Sequence, residues 1–166
     1  MVDDDDGPPA ELESRPPTVE DLVGLCRRLN QEGARYVIVG GMAIIQLGLV
    51  RATEAIDLLV ESSADNFDRI VRAMSSLPDQ AIREVQPTDL DDYVVVRVAD
   101  EIVVDLMKSA CGVDYAGARD GIVRVEVGGV LIPFASAALM LRLKQTVREK
   151  DRIDREFLER RLRGEA

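Results

Sequence analysis

Two glycines and two isolated acids are the residues of this sequence best suited to chemistry. Gly40 and Gly41 follow an apolar strand pattern and precede a short helical one, so their backbone N–H groups could meet an anion. Asp57 and Asp105 each lie alone in an apolar strand pattern, where a carboxylate is costly unless it is paired or bound to a cation. If the two strands are neighbours, both carboxylates converge on one edge of the sheet. This layout predicts a site for a metal ion and a nucleoside triphosphate.

The chemistry of this site is narrowed by the absence of histidine from the sequence. Nucleophilic pairs of serine or cysteine with histidine are therefore excluded, as are histidine metal ligands. A metal ion would need oxygen ligands, which favours Mg²⁺ or Mn²⁺. Cys26 and Cys111 are too few and too far apart in sequence for a disulfide scaffold or a zinc site, and each is interpreted as a small buried hydrophobe.

Length and composition favour one domain with an aliphatic core, since the chain has 166 residues, of which 46% are apolar and only 4% aromatic. Its net charge is −10. Residues 1–17 hold a run of aspartates and two Pro-Pro pairs, and we expect them to be a disordered tail before a domain over 18–166. No apolar run reaches the ~18 residues of a membrane span. The N-terminus has no signal-peptide pattern, so a cytoplasmic location is expected by default.

The hydrophobic spacing alternates between helical and strand periods, which predicts an α/β fold with helices against a mixed β-sheet. Thr18 and Asp21 form a capping-box pattern before a helix that ends near Gly33. Further helices are predicted at 42–47, 63–77, 114–119, 136–147 and 151–162. Strands are predicted at 36–39, 56–60, 81–86 (as an edge strand), 93–98, 102–107, 122–127 and 130–134. Tight turns at 99–101 and 128–129 predict two hairpins.

Residues 37–60 resemble the nucleotidyltransferase superfamily, and are most similar to its small bacterial branch that includes the abortive-infection (AbiEii-type) toxins. That family shows a Gly-Gly or Gly-Ser turn, a helix, and then Arg-x-Thr-x-Asp-x-Asp on a strand. The residues that match this pattern are Gly40, Gly41, Arg51, Thr53 and Asp57. The family's closing pattern, a Lys followed by Arg-x-Lys-Asp-x-x-Asp, matches at Lys144, Arg148, Lys150, Asp151 and Asp154. The resemblance covers about residues 20–160.

The resemblance implies a minimal nucleotidyltransferase-like domain that moves a nucleoside monophosphate from a metal-bound NTP to a hydroxyl. The acceptor would be RNA, a protein or a small molecule, and in the toxin branch it can be tRNA, although the negative body argues mildly against a broad tRNA surface. Metal binding is implied for Asp57 and Asp105. Phosphate binding is implied for Gly40, Gly41 and Lys144.

The remaining matched residues have two readings each. Arg51 and Thr53 either contact phosphate or order their loop. Lys150 could belong to the site or to a solvated helix. Asp151 and Asp154 are interpreted mainly as structural, with Asp151 as the N-cap of the last helix and Asp154 also a candidate for the site.

One position departs from the family pattern, because Ala55 stands where the first Asp of Asp-x-Asp is expected. Strand alternation puts residues 55 and 57 on one face and Glu54 on the other, so Glu54 is a poor substitute. We therefore expect transferase activity to be weak or absent in this sequence and to return if Asp is restored at 55. Whether Ala55 is natural or engineered stays open. The alternative is a non-catalytic module that binds nucleotide or a protein partner, such as a cognate antitoxin.

Overall fold

Short runs of branched aliphatic residues form a six-stranded mixed sheet in this computed structural model, which describes residues 13–165. The strand order across the sheet is β3-β4-β2-β1-β8-β7, and β5 and β6 form a separate two-stranded ribbon. The strands are β1 (Tyr36–Val39), β2 (Ala55–Val60), β3 (Val96–Ala99), β4 (Val103–Met107), β5 (Ser109–Ala110), β6 (Val113–Asp114), β7 (Ile122–Val127) and β8 (Val130–Ala135).

Both strand directions occur at the centre of the sheet. β2 lies parallel to β4 and antiparallel to β1, and β1 lies parallel to β8. The outer pairs β3–β4 and β7–β8 are antiparallel hairpins, as their turn sequences predicted. The mixed α/β sheet that the hydrophobic spacing indicated is therefore confirmed.

Helices pack against this sheet and complete the aliphatic core. The helix α1 contacts α3 and β8, α2 contacts β1 and β2, and α6 contacts α7. None of the helices between residues 13 and 165 is long and apolar enough to cross a membrane. The helices are α1 (Val19–Gln31), α2 (Gly40–Gln46), α3 (Ala64–Met74), α4 (Asp89–Asp92), α5 (Tyr115–Ala118), α6 (Ala137–Leu143) and α7 (Glu149–Leu162).

Four of the predicted helix starts are fixed by side-chain caps, and at α5 the cap is Asp114, which accepts the N–H of Gly117. Thr18 and Asp21 form the expected capping box at α1, in which each side chain accepts a hydrogen bond from the other residue's backbone N–H. Ser63 and Ser136 accept backbone N–H groups at the starts of α3 and α6.

The predicted edge strand at 81–86 is wrong, because this segment contains the 3₁₀ helix Ala81–Glu84. The buried carboxylate of Asp100 accepts the N–H groups of Asp79 and Ala81, both at 2.9 Å. Gln80 between them adopts a left-handed φ of 50°. Asp100 thus engages the N–H of Ala81, and the N–H groups of Arg83 and Val85 donate to the carbonyls of Gln80 and Ile82 rather than to a neighbouring strand.

Several predicted boundaries shift because of short elements that the spacing did not reveal. The acidic turn of α4 occupies the residues before the third strand, so β3 starts at Val96 rather than Tyr93. α6 ends at Leu143, well before residue 147. Cys111 is exposed with a φ of 47° in the β5–β6 turn, so its predicted burial is wrong, whereas Cys26 is buried as expected.

The segment before α1 contacts the turn between β3 and β4. Ser14 Oγ donates to the carbonyl of Asp100 at 2.6 Å, and the N–H of Arg15 donates to the carbonyl of Glu101 at 2.9 Å. The rest of the predicted tail, residues 1–12, lies outside the described residues.

Asn66 supports a testable prediction about stability, because its fully buried side chain bonds three backbone groups. It accepts the N–H of Arg35 at 2.7 Å and donates to the carbonyls of Arg35 and Glu61 at 2.9 and 2.7 Å. Asn66→Ala leaves these groups buried and unpaired, so we expect a loss of about 2–4 kcal/mol in unfolding free energy by urea denaturation. The exposed Asp68→Ala on the same helix should change it by less than ~0.5 kcal/mol. Equal effects of both variants would contradict this role.

Candidate functional site

A cleft of about 640 Å³ opens over one end of the β2–β4 strand pair. It brings together residues that the sequence places in five separate segments. Of the residues that carry the family resemblance or its departure, those that line the cleft are Gly40, Gly41, Arg51, Thr53, Ala55, Asp57, Asp105, Lys144, Arg148, Lys150 and Asp151. Asp154 is not among the lining residues, although it bonds two of them.

The two isolated acids lie side by side, as predicted. Asp57 of β2 is the register partner of Asp105 of β4 in a parallel pair. Neighbouring strands are about 4.8 Å apart, so both carboxylates reach the same edge of the cleft. On the other side, Asp57 is paired with Val39, the last residue of β1 before the glycine turn.

Burial makes the charged form of Asp57 expensive. Desolvation, and then the neighbouring charge of Asp105, raise the pKa of Asp57 to about 6, and the positive charges of Lys144 and Lys150 oppose this shift. The site therefore contains a carboxyl that takes up a proton just below neutral pH.

Asp105 has a partner that was not singled out from the sequence. Arg97 of β3 donates to both carboxylate oxygens of Asp105, from Nε at 3.0 Å and from Nη2 at 3.1 Å. The hairpin register makes Arg97 the cross-strand neighbour of Asp105. The turn predicted at residues 99–101 would pair Arg97 with residue 103. The observed pairing is shifted by two residues, so the predicted hairpin did not indicate this contact.

The donor set does not fit the metal ion that the resemblance implies. Within residues 13–165, no group of three or more His, Cys, Asp or Glu side chains is arranged to hold a metal. Ala55 opens β2 as the register partner of Val103 and lines the cleft with a methyl group. The β2–β4 strand pair therefore supplies two adjacent carboxylates, Asp57 and Asp105, and Asp105 is occupied by a guanidinium. Strand alternation predicted that Glu54 faces away from this site, but Glu54 lines the cleft. β2 begins only at Ala55, so the alternation does not extend to residue 54.

The two glycines are required by close approach. A Cβ on Gly40 would lie 1.9 Å from Oδ2 of Asp57, and the φ of Gly40 is +67°. A Cβ on Gly41 would lie 2.4 Å from Oγ1 of Thr53. The Gly-Gly turn therefore lets the chain pass against the acid and the threonine that follow it in sequence.

Arg51 and Thr53 both make contacts that order their own loop. Thr53 Oγ1 donates to the carbonyl of Ala55 at 2.9 Å, at the start of β2. Nη1 of Arg51 lies 2.8 and 2.7 Å from the two carboxylate oxygens of Asp154. The loop before β2 is thereby bonded to α7.

Lys144 lies at the C-cap of α6 and is held between two carboxylates of α7. Its Nζ is 3.0 Å from Asp151 and 3.2 Å from Asp154, and both acids are buried. The prediction that Asp151 is the N-cap of the last helix is wrong, because α7 already begins at Glu149. Burial alone would raise the pKa of Asp151, but hydrogen bonds from Arg148, Thr146 and Lys144 hold it well below its usual range.

The cleft carries a slight excess of positive charge in a strongly acidic chain. Five of its lining side chains are cationic and four are carboxylates. Lys150 and Arg148 are exposed at its rim. A chain with a net charge of −10 would repel a phosphate from most of its surface, so this cleft is the locally favourable place for one. The cationic residues are Arg51, Arg97, Lys144, Arg148 and Lys150.

Comparison with known proteins supports the fold. No protein-family model and no curated protein matches this chain. Among solved structures, it is similar to the crystal structure of a proposed nucleotidyltransferase from Thermotoga maritima, with a TM-score of 0.54 over 88% of this chain and 92% of that one. At 18% identity the likeness concerns the fold alone. The chain has a nucleotidyltransferase-like fold, as the sequence resemblance predicted.

The raised pKa of Asp57 predicts that this residue costs stability above neutral pH. A folded carboxyl that releases its proton at about pH 6, against an ordinary 3.8, holds more protons than the unfolded chain between these values. Stability must then fall as pH rises through this window, by roughly 3 kcal/mol for this group. Between pH 4.5 and 7.5 the fall should be about 2 kcal/mol, and we expect Asp57→Asn to lack it when unfolding free energies at these two values are compared by denaturation. Asp68→Asn, at an exposed position, serves as the control, and parallel pH curves for wild type and Asp57→Asn would contradict the assignment.

Asp154 supports a second prediction, because it is the shared partner of Arg51 and Lys144. Asp154→Ala removes one member of a buried ionic network, so we expect it to cost about 3–5 kcal/mol of unfolding free energy. Glu156→Ala, at an exposed position on the same helix, should cost less than ~1 kcal/mol. A small effect of Asp154→Ala in chemical denaturation would show that the network does not hold α7 in place.

Proposed function

We propose that this chain is a nucleotidyltransferase-like protein that binds a nucleoside triphosphate in the cleft and has an impaired transfer reaction. The observation that carries the proposal is the pairing of Asp57 with Asp105 in one cleft with five cationic side chains. Phosphate groups suit the cationic side chains, and paired carboxylates are the groups that nucleotidyl transfer uses. The nucleotidyltransferase-like fold supports this assignment by analogy.

The impairment follows from the position of Ala55. Its side chain lines the cleft two residues before Asp57 on the same strand, so an aspartate there would add a third carboxylate to the pair. We propose that Mg²⁺ or Mn²⁺ binds with catalytic effect only when this third carboxylate is present. With Asp at 55, the reaction would pass a nucleoside monophosphate to a hydroxyl and release pyrophosphate.

We propose that the acceptor is met on the open cleft or brought by a partner. It would be a hydroxyl of RNA, of a protein or of a small molecule. Assignment to the AbiEii-type branch, a toxin role with a cognate antitoxin and a cytoplasmic location are part of the same proposal, and they rest on the sequence resemblance.

A second candidate is a non-catalytic module in which the cleft binds nucleotide without turnover or has become a protein interface. It is favoured by Ala55 and by the occupation of Asp105 by Arg97. The two candidates differ in one respect: restoring a carboxylate at residue 55 should create transfer activity in the first and should not in the second.

Thermal shift and pyrophosphate release test the proposal together. We expect wild type to be stabilised by at least one NTP, by about 2.7 kcal/mol when the nucleotide is at 100 times its Kd. Ala55→Asp should gain a further shift that requires Mg²⁺, and it should release pyrophosphate when an acceptor is supplied.

Asp57→Ala in the Ala55→Asp background is the matched control, because it removes the neighbouring carboxylate and should abolish both gains. If Ala55→Asp binds nucleotide but never releases pyrophosphate with RNA, protein or small hydroxyl acceptors, the non-catalytic candidate replaces the transferase. If no NTP stabilises wild type or Ala55→Asp, the cleft is not a nucleotide site.

A further inference from the structure

The bidentate contact between Arg97 and Asp105 places a permanent positive charge on the carboxylate that the sequence assigned to a metal. A guanidinium stays protonated at every physiological pH, and its fork matches the two oxygens of a carboxylate. The two contacts of 3.0 and 3.1 Å use Nε and Nη2. A divalent ion approaching Asp105 would therefore have to displace an ion pair that is already formed.

Arg97 keeps hydrogen-bonding capacity beyond its contact with Asp105. Its Nη1 group donates to no other residue in the part of the chain that the structure describes. The side chain is 64% exposed and lines the cleft, whereas Asp105 is 9% exposed. A ligand entering the cleft can therefore reach the guanidinium, which lies between solvent and the buried carboxylate.

We propose that Arg97 takes the place of the divalent cation in this cleft, bridging Asp105 to a phosphate of the bound nucleoside triphosphate. Nucleotide binding then needs no metal ion. This inference rests on the proposed nucleotide binding and extends it, since it names the residue that neutralises the phosphates in this chain.

The loss of a ligand at residue 55 and the gain of a guanidinium at Asp105 fit together chemically. Ala55 leaves too few oxygen ligands for a metal ion, and a buried Asp105 without a cation would be costly. Arg97 lies on β3, the neighbour of β4, and its guanidinium offsets this cost without a bound ion. Two of the other cleft cations are more committed, as Arg51 and Lys144 are both held by Asp154.

Isothermal titration with ATP, GTP, CTP and UTP, in EDTA and in Mg²⁺, tests this role on the full chain. We expect the wild-type Kd for the preferred nucleotide to differ by less than about threefold between the two conditions. Arg97→Met should weaken binding in EDTA by roughly tenfold or more, the loss expected for a charge-assisted hydrogen bond to phosphate. Mg²⁺ should restore part of that loss in Arg97→Met, because Asp105 is then open to a cation.

Arg97→Lys and Arg72→Met complete the series. Arg97→Lys keeps the charge but not the fork, so its Kd in EDTA should lie between those of wild type and Arg97→Met. Arg72 forms an exposed ion pair with Glu32 at 2.9 Å outside the cleft, so Arg72→Met should bind nucleotide as wild type does. Circular dichroism confirms that each variant is folded.

The outcomes separate this inference from the proposed function. Wild-type binding that disappears in EDTA overturns the role of Arg97 and leaves nucleotide binding intact. Unchanged binding by folded Arg97→Met in EDTA does the same. Failure of every nucleotide to bind wild type, with or without Mg²⁺, overturns both proposals.

Discussion

Two carboxylates that lie side by side on parallel strands set the main constraint on this molecule. The pairing of Asp57 with Asp105 brings like charges together where burial already disfavours them. The surrounding structure compensates for this in different ways for the two acids. Asp105 receives the Arg97 guanidinium, whereas Asp57 faces the more distant charges of Lys144 and Lys150 and retains protons up to about pH 6. The glycine turn, the ionic network of α7 and the cationic rim are all arranged around this pair.

The cations of the cleft divide into two groups with different tasks. Lys144 and Arg51 are held by the buried acids of α7, so they join separate segments of the chain into one wall. Lys150 is exposed at the rim, where it can meet a ligand, and Arg148 is exposed there too, although its Nε bonds Asp151. Residues that a sequence pattern groups together can therefore differ in what they do, and the difference is visible only from their partners.

Sequence patterns predicted the parts of this structure that depend on local chemistry. The capping box at Thr18, the hairpin at 128–129 and the two acid-bearing strands each follow from a few adjacent residues. The parts of the structure that these patterns missed depend on contacts between residues that are distant in sequence. The carboxylate of Asp100 turns the predicted strand at 81–86 into a 3₁₀ helix, and a shifted hairpin register places Arg97 on Asp105. Neither a strand propensity nor a spacing rule contains that information.

The location of the acids in the middle of the sheet also governs how the cleft opens. β2 is hydrogen-bonded to a strand on each side, so the amides around Asp57 belong to the part of a protein that exchanges hydrogen slowly, through global unfolding. The opposite wall is formed by the end of α6 and the start of α7, where residues 145–150 are mostly exposed, and the ion pair of Arg51 with Asp154 joins it to the loop before β2. Local opening of such a segment requires much less free energy. The acidic wall therefore stays fixed as long as the chain is folded, and the basic wall is the one that can yield to a bulky acceptor.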